Sequence, residues 1–589
     1  LKLQESGGMV KVNIKETKMK YASVILVCCG ATLHAAGPQL IIHNAKIVTV
    51  DPAFSVQQAM AVEGNRIVAV GRNEDILRLK TDSTEVLDLQ GRMVLPGFID
   101  SHVHPVGAAM TEFDHPIPDM ESVQDVLDYF KGRAAAVKPG DWIVLQQVFI
   151  TRLREQRYPT RAELDEVAPN NPVVFRTGPD ASVNTLALKL SGIDRDFRVT
   201  DGGPGYIEKD PQTGEPTGIL RSCTRCLKIR ASGREATGRD RYERVLALFK
   251  DYSSVGITGI CDGDTSQGDL DLYRQMLEKG ELPVRIASQY HVDTIGPIEQ
   301  IEESIRKVAR NPLRQGGPML RIIGVKVYLD GGMLTGSAYM SRPWGVSKTY
   351  AIDDPNYRGV LFIPKDRLVP MVRTATESGL QFTAHTVGDG AVATLLDAYE
   401  EVNKTTPIRD VRHCITHSNF MSRESVEKAA RLGVIPLVQP AWLYLDTRTL
   451  VKQFGYDRLR YFQPLHSIFA AGGIAAGGSD HMQKVGSLRS NNPYDPFLAM
   501  WTTVTRRARW YDGQLHPEEA LTRAEMIRFY TIDCARAMFL DKDVGSLEKG
   551  KLADLIILDT DLLTCPDDAI RAAKVLRTYS NGRLVFHRF

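Results

Sequence analysis

Runs of like charge are missing from this sequence. Lys and Arg total 73 against 71 for Asp and Glu, a formal net charge of +2 over 589 residues. No basic block or basic-aromatic stripe breaks that balance, which excludes nucleic acid as a partner and gives an anionic membrane surface nothing to attract. Long apolar runs are missing as well. Beyond the N-terminal segment nothing approaches the roughly 20 residues that a bilayer-crossing helix needs, so no membrane span is expected. Cysteine is scarce, at eight residues, and Cys28 and Cys29 fall in the N-terminal apolar segment. Cys223-Thr-Arg-Cys226 lacks the second pair that a structural zinc ribbon requires. In an exported protein that pair can close a local disulfide, but ordinary thiols are the expectation. What is left, 43% hydrophobic and 24% charged residues, is ordinary globular composition. A chain of 589 residues exceeds what one core usually holds, so two or three domains are expected.

The N-terminus has an address-like pattern. Met19-Lys-Tyr is followed by an apolar stretch from Ala22 to Leu33 and by Ala35-Ala36-Gly37. A positive start, an apolar run and small residues at its end describe a secretory signal peptide. Residues 1–37 are therefore read as a tag or over-extended start followed by a signal peptide. The protein is exported, periplasmic or secreted, if that signal is real, and cytoplasmic otherwise.

Leu40–Val50 and Ala59–Val70 read as short strands, with Gly64-Asn65 at a turn. The C-terminus looks alike: Gly545–Leu558, then Tyr579–Phe586 with Asn581-Gly582 as a hairpin signal. Two β-rich ends, 38–92 and 545–589, are expected to build one β-sandwich together. Between them, apolar runs stand at 93–100, 256–262, 283–291, 321–329, 381–387, 411–417, 433–439 and 472–479. Helix-length amphipathic segments such as Asp366–Gly379 and Ser422–Leu432 separate most of them. Continuous apolar strands alternating with helices mean a parallel sheet covered by helices, and eight units mean an α/β (β/α)8 TIM-type barrel. Strand one is assigned to 93–105 and the rest of the barrel to 251–544. Residues 106–250 are far too many for a loop and read as an inserted domain, with strands at Trp142–Phe149 and Val173–Thr177.

The polar residues fall where a barrel keeps its active site, at the C-terminal strand ends. Strand one ends in Asp100-Ser-His102-Val-His104, and residues two apart on a strand point the same way. Strand four carries Lys326, strand five His385, strand six His417 and strand eight Asp480. Each alone has an ordinary explanation: a hydrogen-bonded core histidine, a helix-capping aspartate, a lysine with its head in water. Four imidazoles, a carboxylate and a lysine on one rim do not. That donor set suits zinc and its neighbours.

Leu95-Pro-Gly-Phe-Ile-Asp-Ser-His-Val-His-Pro105 resembles the signature of the amidohydrolase superfamily. Lys326–Gly331, His385–Gly390, Ile415-Thr-His417 and Gly478-Ser-Asp480 are similar to its amidohydrolase-3 (YtcJ-like) group, as are Pro211–Leu220 and Gly550–Leu555. The resemblance runs from about residue 40 onward. It implies that His102, His104, His385, His417 and Asp480 bind divalent metal, zinc being expected, as one or two ions. It also implies that Lys326 is carboxylated by CO2 and bridges the ions of a binuclear site. The implied activity is hydrolysis of a non-peptide C–N bond in a small amide or cyclic amide, with Asp480 shuttling the proton. A metal-dependent esterase or lactonase is the alternative enzyme, and a non-catalytic scaffold a third reading. One departure stands out. Relatives carry a Gly-His-Ser-type stretch where this chain has Gly178-Pro-Asp, so Pro179 replaces the histidine. Asn184, Asp389 and His481 are the candidate substrate contacts. Homo-oligomerisation is left open.

Overall fold

Eight parallel strands form one sheet in the computed structural model, which describes residues 37–146, 148–230 and 233–588. Apart from Gly37, the signal-peptide reading lies outside the described residues. In chain order the barrel strands are Phe98–Val103, Ile257–Thr265, Arg285–His291, Leu320–Tyr328, Gln381–Thr386, Cys414–His417, Ile435–Val438 and Ala476–Gly477. Each pairs with its sequence neighbour. The eighth is short, and the loop after it completes the ring. Val103 and His481 form a parallel bridge, Asp480 N donates to the His102 carbonyl at 2.8 Å, and His104 N donates to the His481 carbonyl at 2.8 Å. Closure thus seats the two ends of the barrel, strand one and the turn after strand eight, directly against each other.

The apolar run 93–100 does not form one strand. Met93–Pro96 pairs with Lys46–Val48 and Leu555–Leu558 in a six-stranded sheet that draws on both ends of the chain. Barrel strand one begins only at Phe98. Gly97 is the crossing point: a Cβ there would lie 2.2 Å from Thr258 Oγ1, so only glycine lets the chain pass from one sheet to the other. A four-stranded sheet from the N-terminal segment shares a core with this six-stranded one, through Ile42 and Met60 on one side and Val94, Leu555 and Ile557 on the other. Arg285, at the start of strand three, makes two 2.6 Å hydrogen bonds to Asp554 and ties that layer to the barrel.

The long segment after strand one carries a five-stranded sheet that includes Ile143–Gln146, Val173–Thr177, Asp180–Val183 and Pro216–Arg221. Its core is continuous with the barrel's loops, since Leu145 and Phe175 cluster with Met333, Trp344 and Trp442. The inserted sheet therefore stands beside the C-terminal mouth. The helix Gly238–Ser254, placed in the insertion by its sequence position, packs instead in the barrel's core through Val245, Leu248 and Phe249. Between the strands run amphipathic helices such as Lys365–Glu377 and Arg423–Leu432, the latter capped by Ser422.

Candidate metal centre

The strand ends deliver their polar residues to one spot. His102 is fully buried on strand one, and the rings of His102 and His104 lie 4.9 Å apart at right angles. The His417 ring is 5.2 Å from His102 and 4.5 Å from His385. Asp480 Oδ1 faces His102 Nε2 at 3.5 Å and His104 Nε2 at 3.3 Å. Donor atoms of His102, His417 and Asp480 all lie within 4.8 Å of one another, close enough to share one cation. Lys326 is buried at the same rim, its Nζ donating to the Gly263 carbonyl at 3.2 Å. The six residues singled out by the sequence pattern thus come together.

The backbone is bent to achieve this. His417 and Asp480 both occupy the left-handed region, at φ 81° and 54°, where side chains other than glycine's are strained. Asp480 is held by Asn492, whose Nδ2 donates to its carbonyl at 2.7 Å and to Oδ2 at 3.3 Å. His417 stacks on Trp442, 4.8 Å away and nearly coplanar. Its Nδ1 donates to Gln439 Oε1 at 2.8 Å, and the Gln439 amide is oriented by the Leu437 carbonyl. That bond leaves the Nε2 lone pair free for a cation, the usual arrangement around a metal-binding imidazole.

Buried polar atoms without partners test whether a metal fits. His102 Nδ1 and Nε2 and His385 Nε2 find no hydrogen-bond partner among the described residues. Each orphaned group costs about 1–3 kcal/mol, a burden that a ligated ion removes. Burial, then neighbouring Lys326, holds His102 far below the ordinary imidazole range; burial and His385 do the same to His417, and His385 falls to about 3. Neutral imidazoles are the form that binds metal. His104 differs: burial works against protonation, but the Asp480 carboxylate in contact lifts it above its ordinary value. Burial raises Asp480, with His104 pulling the other way. The donor set fits a divalent ion.

The centre opens into a cavity of about 810 Å³ between the barrel mouth and the inserted sheet. Pro179, in place of the expected histidine, is part of its wall. The three candidate substrate contacts are not, and each has a structural task. His481 is buried with Nδ1 on the Tyr252 hydroxyl at 2.7 Å and Nε2 on the Gln483 and Lys484 carbonyls. Asn184 caps a helix, its Oδ1 accepting from the Ala187 and Val173 amides. Asp389, in the first turn of its helix, accepts from the Ser341 amide at 2.7 Å and from its hydroxyl. Cys223 and Cys226 are free thiols.

Other residues of the site escaped sequence reasoning. Asp264, two positions beyond the apolar run of strand two, takes the Tyr328 hydroxyl at 3.0 Å and His291 Nδ1 at 2.6 Å beside the metal cluster. Burial opposes its charge, but His291 and His104 hold its carboxyl well below the usual range. Its signal was present: polar residues at the end of an apolar run, as at Gln439.

A family model described as the amidohydrolase family matches residues 85–586. An N-substituted formamide deformylase from Arthrobacter pascens is 31% identical over 567 residues, covering 93% of this chain and 98% of that protein. Bacillus subtilis YtcJ, a protein named as an amidohydrolase, is 27% identical over 560 residues, covering 93% and 99%. A crystal structure of an uncharacterized metal-dependent hydrolase from Pyrococcus horikoshii shares the fold at a TM-score of 0.64 and 21% identity, covering 90% and 99%.

Proposed function

The chain belongs to the amidohydrolase family, and from that premise we propose that it hydrolyses a non-peptide C–N bond in a small amide, N-substituted formamides being the first class to try. One observation carries the reading: four imidazoles, partly orphaned, and one carboxylate surround a single buried spot at the floor of a cavity. His102, His104, His385, His417 and Asp480 would hold the metal, zinc by donor type. Lys326, enclosed beside them, would accept CO2 and offer anionic oxygen donors if two ions are held. When bound, such an ion supplies an acidified water and polarises a carbonyl.

The chain's own groups do the rest. Asp480 Oδ1 faces the histidine pair, so it takes a proton from the attacking water and returns it to the departing nitrogen. Asn492 fixes that carboxylate, and Gln439 with Trp442 fixes the His417 ring. Little reorganisation then accompanies proton transfer. The inserted sheet forms one wall of the cavity above the reacting groups.

Metal analysis of the purified protein, joined to a panel of paired amides and esters with and without chelator, tests this. Stoichiometric divalent metal and chelator-sensitive cleavage of amides are expected. Cleavage of esters alone would transfer the reading to an esterase. A metal-free protein that ignores added zinc would end it.

A further inference from the structure

The cavity wall holds a cation that this chemistry leaves unused. Arg176 lies on Val173–Thr177 of the inserted sheet, in register with Gln146 on one neighbour and Ala181 on the other. With Val144 and Gln146 it forms the sheet face that lines the cavity. The side chain is half-buried, its Nε is fully enclosed, and that atom has no hydrogen-bond partner among the described residues.

Other charges of the wall have partners of their own: Lys326 donates to the Gly263 carbonyl and Asp293 accepts from the Ile295 amide. Arg225 makes bonds of 2.8 and 3.0 Å to Asp201. Asp264 is engaged by His291 and Tyr328, and Asp330 accepts from the amides of Val387, Gly388 and Tyr339. No acid of the wall forms an ion pair with Arg176 among the described residues. An enclosed guanidinium nitrogen without a partner is costly, and an anion held in the cavity would supply one. Its planar fork matches a carboxylate at two points. On the face it shares with Val144 and Gln146, Arg176 brings one positive charge, which suits a monoanion better than a phosphate dianion. Tyr328 lines the same cavity as Arg176, and its ring lies 5.5 Å from His385. One small molecule can therefore span both. Phe149, Leu334 and Met482 add apolar wall for its body.

We infer that Arg176 binds a substrate carboxylate, so that the substrates are N-acylated amino acids or similar carboxylate-bearing amides with an apolar body. The choice of bond rests on the hydrolase reading above; the anion site does not.

Calorimetry with N-acetyl-leucine and its neutral partner N-acetyl-leucinamide tests the site, on full-length protein before and after chelation. Both are then offered as substrates. Wild-type protein should bind the acid at least about tenfold more tightly than the amide. Arg176→Met should erase that ratio, with a loss for the acid on the order of a hundredfold, and Arg176→Lys should keep part of it. Because it removes an unmatched charge, Arg176→Met should melt no lower than wild type; a structural arginine would melt lower. Should Arg176→Met fail to fold, or melt well below wild type, the inference is overturned. Equal binding of the two probes, binding of neither, or a ratio unchanged in Arg176→Met also overturns it. Acid preference without cleavage of any amide would sink the hydrolase reading and leave the anion site standing. Cleavage of neutral amides without acid preference would do the reverse.

Discussion

Gly263→Ala probes whether the position of His102 governs the site. Gly263 sits in strand two against the His102 ring, and a Cβ added there would lie 2.1 Å from both Nδ1 and Cε1 of that imidazole. Ordinary contact begins at 3.4 Å, so the ring must retreat by more than an ångström. It has nowhere to go, since His104 and His417 stand 4.9 and 5.2 Å away and the residue has no exposed surface. The backbone at Gly263 is not left-handed, so alanine brings no strain of its own and the clash alone is tested. Overpacking of this kind costs about 1–3 kcal/mol. An ångström of misplacement at a reacting centre costs about a hundredfold in rate. Metal content per chain, kcat/KM and the thermal midpoint should be measured together. The expected result is a folded protein with reduced metal content and kcat/KM down about a hundredfold. Gly259→Ala on the same strand is the control, because its Cβ would come no nearer than 3.3 Å to its closest neighbour, Ile99. A Gly263→Ala protein with wild-type metal content and kcat/KM would refute the idea that His102 is a ligand fixed by this cradle.

Three further outcomes are expected. Asp480→Asn should fold normally and lose at least about a hundredfold in kcat, read by steady-state kinetics on whichever amide the panel identifies. Gln439→Leu removes the acceptor of His417 Nδ1 and should weaken metal binding by about 10–100-fold in a competition titration, with the melting curve of the metal-free protein little changed. His481→Phe should lower stability by about 1–3 kcal/mol in urea denaturation, because the Tyr252 hydroxyl and the Gln483 and Lys484 carbonyls lose their partner. The folded fraction of that variant should keep its kcat/KM within a few-fold, since the ring does not line the cavity.

The cluster of histidines and Asp480 was legible because strand ends are marked in the sequence. Each barrel strand is buried on both faces and reads as a continuous apolar run, so its end is marked by the first polar residue. His102, His385, His417 and Asp480 all stand at such ends. The same rule faltered where burial ignored sheet boundaries. Met93–Pro96 and Phe98–Val103 are equally apolar, but they belong to different sheets, and only the Gly97–Thr258 contact shows where one gives way to the other. It faltered again at strand two, where the apolar run stops at Asp262 while the strand continues to Thr265 and delivers Asp264. The polar residues that close the run marked the strand end, but only the contacts with Tyr328 and His291 show that Asp264 joins the site.

The substrate wall was less legible for a related reason. In Val173-Val-Phe-Arg-Thr177 alternation sets Arg176 on the same side as Val174 and opposite Phe175. On an isolated sheet an arginine at that position would simply face water. The barrel mouth standing opposite turns that face into the side of a cavity and leaves Nε of the guanidinium enclosed without a partner. His481, by contrast, adjoins Asp480 in sequence yet its ring is taken up by the Tyr252 hydroxyl and the Gln483 and Lys484 carbonyls. Proximity to the metal in sequence therefore says little about contact with substrate here. The candidate ligands come from the ends of barrel strands whose register is fixed by closure, whereas Arg176 comes from a separate sheet carried on the insertion. Substitutions on that sheet's cavity face should change which amide is accepted while leaving the metal content of the protein as it was.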